Sequence, residues 1–214
     1  MIHRGVWVSF VGMDGAGKTS ISRAVKKILE HRGFRVALIY GGRGKANVLP
    51  VGLLRRKQER KKSLSYDVPH GHKEYLHIGL RGRGRQLRAR IIVWVFFIDQ
   101  LLKYMVQVSP LRRTYDVVLL DRDATDILLI ADVPITLKRS LYRLIPRPSN
   151  IFYLYHDVET LSNRKTRHPV ADFQRQQLLF DTILPLFDPI MIKSEDLNRT
   201  ADSIASNIIS GKYI

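Results

Sequence analysis

Val6-Trp7-Val8-Ser9-Phe10-Val11-Gly12-Met13-Asp14-Gly15-Ala16-Gly17-Lys18-Thr19 runs from a β-branched and aromatic stretch into a glycine-rich turn. The stretch reads as a buried parallel strand ending at Gly12. Beyond Thr19, apolar residues fall at Ile21, Ala24, Val25, Ile28 and Leu29, the spacing of an amphipathic helix, and Gly33 supplies a left-handed cap after it. Residues 12 to 19 satisfy the full pattern G-x-x-x-x-G-K-[ST]. Strand, glycine turn and helix occur in the order that a phosphate-binding loop requires.

The physical reason is charge. A triphosphate must be desolvated without leaving its oxygens unpaired, and a glycine turn lets successive backbone N–H groups converge on them. Gly12, Gly15, Ala16 and Gly17 form that turn, and the helix opening at Lys18, Thr19 and Ser20 adds its unpaired donors and the positive end of its dipole. Lys18 is expected to reach the β- and γ-phosphates of ATP, and the Thr19 hydroxyl to ligate Mg2+.

Strand and helix patterns alternate along the rest of the chain. Residues 35–40 read as a second strand, and a long helix is expected from near Arg85 to near Val108. A strand over 115–120 ends at Asp121-Arg122. A helix over 137–144, a strand over 151–155, and helices over 158–164 and 172–184 follow. A short strand at 190–193 and a helix from about Arg199 to Ile209 complete the pattern. This predicts one α/β domain over residues 1–214: a three-layer fold with a parallel sheet of about five strands and helices on both faces. Ligands belong at the carboxyl ends of such strands, where Gly12, Gly41 and Asp121 all fall. Residues 43–84 lack periodicity and read as an irregular insertion.

The chain has 214 residues, 45% of them hydrophobic, a net charge of +17 and no cysteine. Disulfide frameworks and thiolate metal sites are therefore excluded. Met1-Ile2-His3-Arg4-Gly5 leads directly into the first strand without a leader pattern, so a cytoplasmic protein is expected. Ile91 to Val108 is apolar enough to suggest a membrane span, but Asp99, Gln100, Lys103 and Gln107 interrupt it, and a buried amphipathic helix is expected instead. The charge is local: residues 43–90 hold 14 Lys or Arg against Glu59, Asp67 and Glu74. Such a segment attracts a nucleic acid, focuses phosphorylated substrates, or is simply a solvated face. His70, His72 and His77 lack carboxylate or cysteine companions at zinc-like spacing.

Two further clusters carry chemistry. Asp121 at the tip of a buried strand is placed to hold Mg2+ directly or through water, and the planar fork of Arg122 suits phosphate oxygens. Asn163-Arg164-Lys165-Thr166-Arg167-His168 reads as an arginine lid near residues 163–172, with Arg164 ahead of Arg167 in neutralising the moving phosphoryl group.

These residues together resemble the thymidylate kinase branch of the P-loop nucleoside monophosphate kinases. The resemblance rests on Phe10 to Thr19, on Asp121-Arg122, and on Asp157-Val158-Glu159 leading to Arg164. It implies a P-loop kinase fold, a homodimer, and an Asp14 that faces the sugar of the acceptor nucleotide. The chain departs from that family in reading the base. Gly41-Gly42-Arg43-Gly44 stands where an Arg-Pro-Gly-like element is usual, so Arg43 is the substitute phosphate ligand. Asp99-Gln100 stands for an Asp-Arg pair, leaving Asp99 as a substrate contact, and Asp121-Arg122-Asp123 stands for Asp-Arg-Tyr. The expected activity is Mg-ATP-dependent phosphoryl transfer to a nucleoside monophosphate, dTMP being the default acceptor. Two other readings stay open: a kinase acting on a nucleic-acid 5′ end or another phosphorylated metabolite, and a non-enzymatic nucleotide-dependent nucleic-acid-binding module.

Overall fold

A computed structural model of the chain describes residues 5–42, 48–49, 83–130, 133–157, 160 and 170–211. Its elements are β1 (Val6–Gly12), α1 (Lys18–His31), β2 (Val36–Tyr40), α2 (Arg83–Lys103), α3 (Ser109–Thr114), β3 (Val117–Asp121), α4 (Ile135–Leu144), β4 (Asn150–Tyr155), α5 (Val170–Ile183), β5 (Ile190–Lys193) and α6 (Leu197–Ser210). The insertion expected at 43–84, apart from residues 48–49 and 83–84, lies outside the described residues, as do His70, His72 and His77 and nearly all of the helix expected at 158–164.

The five strands form one sheet in the order β2-β3-β1-β4-β5, every neighbouring pair parallel. The protein is thus an α/β protein, with helices around an all-parallel sheet. All seven residues of β1 are buried, which only a strand covered on both faces shows, and this is why its sequence does not alternate. Phe10 of β1 stacks on Phe152 of β4 with ring centroids 5.9 Å apart. On α1, Ile21, Val25 and Leu29 are buried, and the helix packs against α6, whose buried stripe is Ala201, Ile204, Ala205 and Ile208. Asp196 caps α6, its carboxylate accepting the N–H of Arg199 at 2.7 Å.

The register brings the strand ends level. Phe10 and Tyr40 both pair with Asp121, and Gly12 pairs with Leu154. The chain leaves β1 toward β2 and leaves β3 toward β4, in opposite directions along the sheet. The carboxyl ends of these two neighbours are therefore where a ligand crevice is expected.

The chain divides into two compact units, one of residues 1–41, 105–123 and 147–214, which holds the sheet, and one of residues 42–104 and 124–146. In the second, α2 packs on a 3-10 turn at Ala124–Ile127 and on α4. Ala89, Val93 and Phe96 of α2 are buried, along with Ile127, Leu128, Leu141 and Tyr142. The same interior holds ions. Asp99 is 0% and Lys103 1% exposed, with Lys103 Nζ 3.9 Å from Asp99 Oδ2 and donating to Gly42 O at 3.3 Å. The other Asp99 oxygen accepts the Leu49 N–H at 2.8 Å.

The long helix therefore differs from expectation in which side it buries. Asp99, Gln100 and Lys103 face inward while Leu87, Ile91, Trp94 and Ile98 are exposed. An i, i+4 acid–base pair can be buried because each ion supplies the other's counter-charge, and a helix apolar nearly all round gives no other cue to its inner face. Just beyond it, the helix widens into a π turn at Tyr104–Val108. Pro110 accounts for this, since it has no N–H to offer Val106 four residues back.

Burial pushes the Lys103 ammonium below its ordinary 10.5, while Asp99 and then Asp126 pull the other way. The folded protein releases this proton at lower pH than the unfolded chain does. Stability from this group therefore rises with pH as pH climbs toward 10.5. Asp99→Asn removes the carboxylate 3.9 Å from the buried ammonium, and urea unfolding at neutral pH should show a loss of about 3–5 kcal/mol. Adding Lys103→Met should recover part of that loss and abolish the alkaline rise.

Candidate functional site

The site lies at the carboxyl ends of β1 and β3 in the sheet-bearing unit. β1 ends in Gly12 (φ 144), and the loop that follows turns through Gly15 (φ 92) and Gly17 (φ 85) before α1 begins at Lys18. Among the described residues no side chain caps the amino terminus of α1, and no acid lies within its first turn. Ala16 is fully buried beneath the loop, its N–H donating to Met13 O at 3.2 Å. Ser20, next along α1, is exposed.

Lys18 is 5% exposed and curls back over the loop, with Nζ donating to Gly12 O at 2.8 Å and Met13 O at 2.6 Å. Two carbonyl dipoles thus hold the ammonium over the loop, from which a stronger acceptor can draw it. Thr19 Oγ1 donates to Asp121 Oδ2 at 2.5 Å. Asp121 is 7% exposed, and its other oxygen, Oδ1, is buried with no hydrogen-bond partner. A buried carboxylate oxygen without a donor beside a hydroxyl is an all-oxygen arrangement of the kind a small hard cation takes. Thr19 and Asp121 thus fit Mg2+. Among the described residues no group of three or more His, Asp or Glu side chains gathers as a metal site, so most of the cation's remaining ligands would be water and phosphate.

Arg122 follows directly. Its backbone takes φ 69 and its N–H donates to Phe10 O at 3.0 Å, fastening it to β1. Its guanidinium pairs with the Asp14 carboxylate through Nη2 and Oδ1, bringing a loop acid and a strand-end base together. Both side chains keep access to solvent, at 26% for Arg122 and 41% for Asp14. The pair is therefore exchangeable, since a partly hydrated ion pair holds little energy.

Two participants have no signal in the local sequence. Gln176 of α5 accepts the Asp14 N–H through Oε1 at 3.1 Å, tying the loop to a helix far along the chain. Ser9, buried within β1, donates to Asp123 Oδ2 at 2.7 Å and so anchors the residue after Arg122. Both bonds join residues more than a hundred positions apart, which periodicity and motif reading do not reach.

Asp99 belongs to the second unit, where it is buried and holds Leu49 N and Lys103. Arg43, Arg164 and Arg167 lie outside the described residues, as does the lid segment up to residue 169. No protein-family model and no curated protein matches the chain.

Proposed function

We propose that the protein is a Mg-ATP-dependent phosphotransferase whose acceptor is a nucleoside monophosphate, with dTMP as the first to test. One observation supports the reading: Thr19 meets Asp121 and Asp14 meets Arg122 where the glycine-rich loop passes the end of β3, with Lys18 held on the carbonyls of the same loop. The buried Asp121 oxygen without a donor, beside an uncapped helix terminus, supports it further.

In this mechanism the loop amides and the amino terminus of α1 hold the donor phosphates. Lys18 leaves the Gly12 and Met13 carbonyls for the phosphate oxygens, so charge moves over a short path and little reorganisation is required. Thr19 and Asp121 would hold Mg2+, which would supply neutralisation of the donor's phosphate charge. Arg122 exchanges Asp14 for acceptor phosphate, and the freed Asp14 becomes an acceptor for a sugar hydroxyl. Gln176 keeps Asp14 in place during that exchange by holding its backbone.

Coupled ADP production across the eight common ribo- and deoxyribonucleoside monophosphates tests this. Turnover with one or more is expected. ATP binding without turnover on any of them overturns it, and transfer only to an oligonucleotide 5′ end would replace the acceptor. Asp121→Asn should weaken the apparent Mg2+ affinity by about 10–100-fold at fixed ATP, read from a magnesium titration of the rate. An unchanged titration would remove Asp121 from the metal site.

A further inference from the structure

The carbonyl of Met13 and the N–H of Asp14 are the two poles of one peptide unit, and both are engaged. The carbonyl accepts from Lys18 Nζ at 2.6 Å, and the N–H donates to Gln176 Oε1 at 3.1 Å. The unit is planar and trans, so the two groups point in opposite directions. Lys18 and Gln176 thus sit at opposite ends of a single peptide dipole. We infer that Gln176 is a positioning residue for Lys18: by taking the Asp14 N–H it fixes which way this peptide faces, and so keeps the Met13 carbonyl turned to the ammonium.

The place of Gln176 on its helix supports this. On α5 the buried residues Phe173, Phe180 and Ile183 follow a helical period, and Gln176 falls on the same stripe, one turn from each phenylalanine. Gln174 and Gln177 of the same helix are exposed. An apolar side chain would pack at position 176 with nothing to satisfy, whereas a half-buried amide needs a partner. Its acceptor oxygen is spent on a loop N–H 162 positions away.

Electrostatics points the same way. A peptide can turn over through the two soft dihedrals beside it, here ψ of Met13 and φ of Asp14, with little movement of either Cα. Turned over, the Asp14 N–H would face the ammonium, a meeting of like partial charges, and Lys18 would keep only the Gly12 carbonyl. The Ala16 N–H gives the Met13 oxygen a second donor, at 3.2 Å, so the turn itself favours the observed sense and Gln176 locks it from the other pole. A hydrogen bond at one pole of a peptide polarises the other, which strengthens the hold of Met13 O on Lys18.

The consequence for rate rests on the phosphotransferase reading; the geometry does not. A lysine that starts from one place reaches phosphate with little reorganisation, and a lysine released among rotamers loses that advantage.

In nucleotide-free protein, acetylation of Lys18 by acetic anhydride, read by mass spectrometry against the exposed Lys27, should run about tenfold faster in Gln176→Leu than in wild type. Leucine suits the apolar stripe, so the circular dichroism spectrum should be unchanged. Gln176→Glu keeps an acceptor for the Asp14 N–H and should return the labelling rate toward wild type. In turnover, Gln176→Leu should lower kcat by about 10–100-fold. The same substitution made in Lys18→Met should cost no more than about threefold, because only the hold on Asp14 is left to lose. An unchanged labelling rate in Gln176→Leu overturns the inference. So does an equal loss of kcat with and without Lys18, which would make Gln176 a general support of the loop. Faster labelling in a protein that turns over no acceptor upholds the positioning and overturns only the phosphotransferase reading.

Discussion

Replacing Lys18 with methionine is expected to lower kcat by about 10²–10³-fold while leaving the fold intact and ATP still bound. Methionine matches the length of the lysine stem but has no charge. What it removes is a cation that the loop holds within 2.8 Å of Gly12 O and 2.6 Å of Met13 O, at 5% exposure. In such a site water does not substitute readily for the lost donor. The loop amides and the α1 terminus are backbone features and survive the change, so ground-state binding should fall far less than turnover does. The Gly12 and Met13 carbonyls lose a donor in a buried setting, so a stability loss of about 1–3 kcal/mol should accompany the change. Steady-state rates beside ATP binding by calorimetry separate the two quantities. A kcat within about threefold of wild type would mean that Lys18 does not meet the transferred group in the transition state.

The second large effect is on stability. A Cβ on Gly12 would lie 2.1 Å from the carbonyl oxygen of Leu154, a backbone atom of the adjoining central strand, and the residue has φ 144. Neither the strand nor the loop can yield without breaking the pairing that levels the strand ends. Gly12→Ala should therefore cost at least about 3 kcal/mol, or roughly 6–12 °C in Tm for a protein of this size. Gly33 is the matched control. It too has positive φ, at 90, but nothing lies within 4 Å of its added Cβ, so Gly33→Ala should cost only about 1 kcal/mol. The difference between the two isolates the close approach from the backbone preference. Equal losses would show that the contact with Leu154 is not what demands glycine at position 12.

What was legible in the sequence was local. β1, the glycine turn and α1 follow from a continuous apolar run, three glycines and a clean helical stripe, and their bounds agree with the structure to within a residue or two. Asp121 at a strand tip was legible for the same reason, since β3 is an unbroken apolar run ending in an acid. The sense of α2 was not. Ile91, Trp94 and Ile98 are as apolar as Val93 and Phe96, and only the partner elements decide which set is covered. The bond from Gln176 to Asp14 and that from Ser9 to Asp123 were invisible because they are tertiary: each polar side chain stands in an ordinary context along its own element. The short 3-10 turn at Ala124–Ile127 has no sequence signature, because its four residues span little more than one turn and carry no capping pattern.

Arg122 has one more implication, for how this site can change over generations. Its φ of 69 favours glycine, and asparagine tolerates it, yet its side chain holds Asp14. A drift to glycine relaxes the backbone and discards the guanidinium; a drift to lysine keeps the charge and loses the fork. Stability and chemistry therefore pull this codon in opposite directions. If Arg122 takes the acceptor phosphate as proposed, selection for activity holds the arginine against the backbone's preference for glycine.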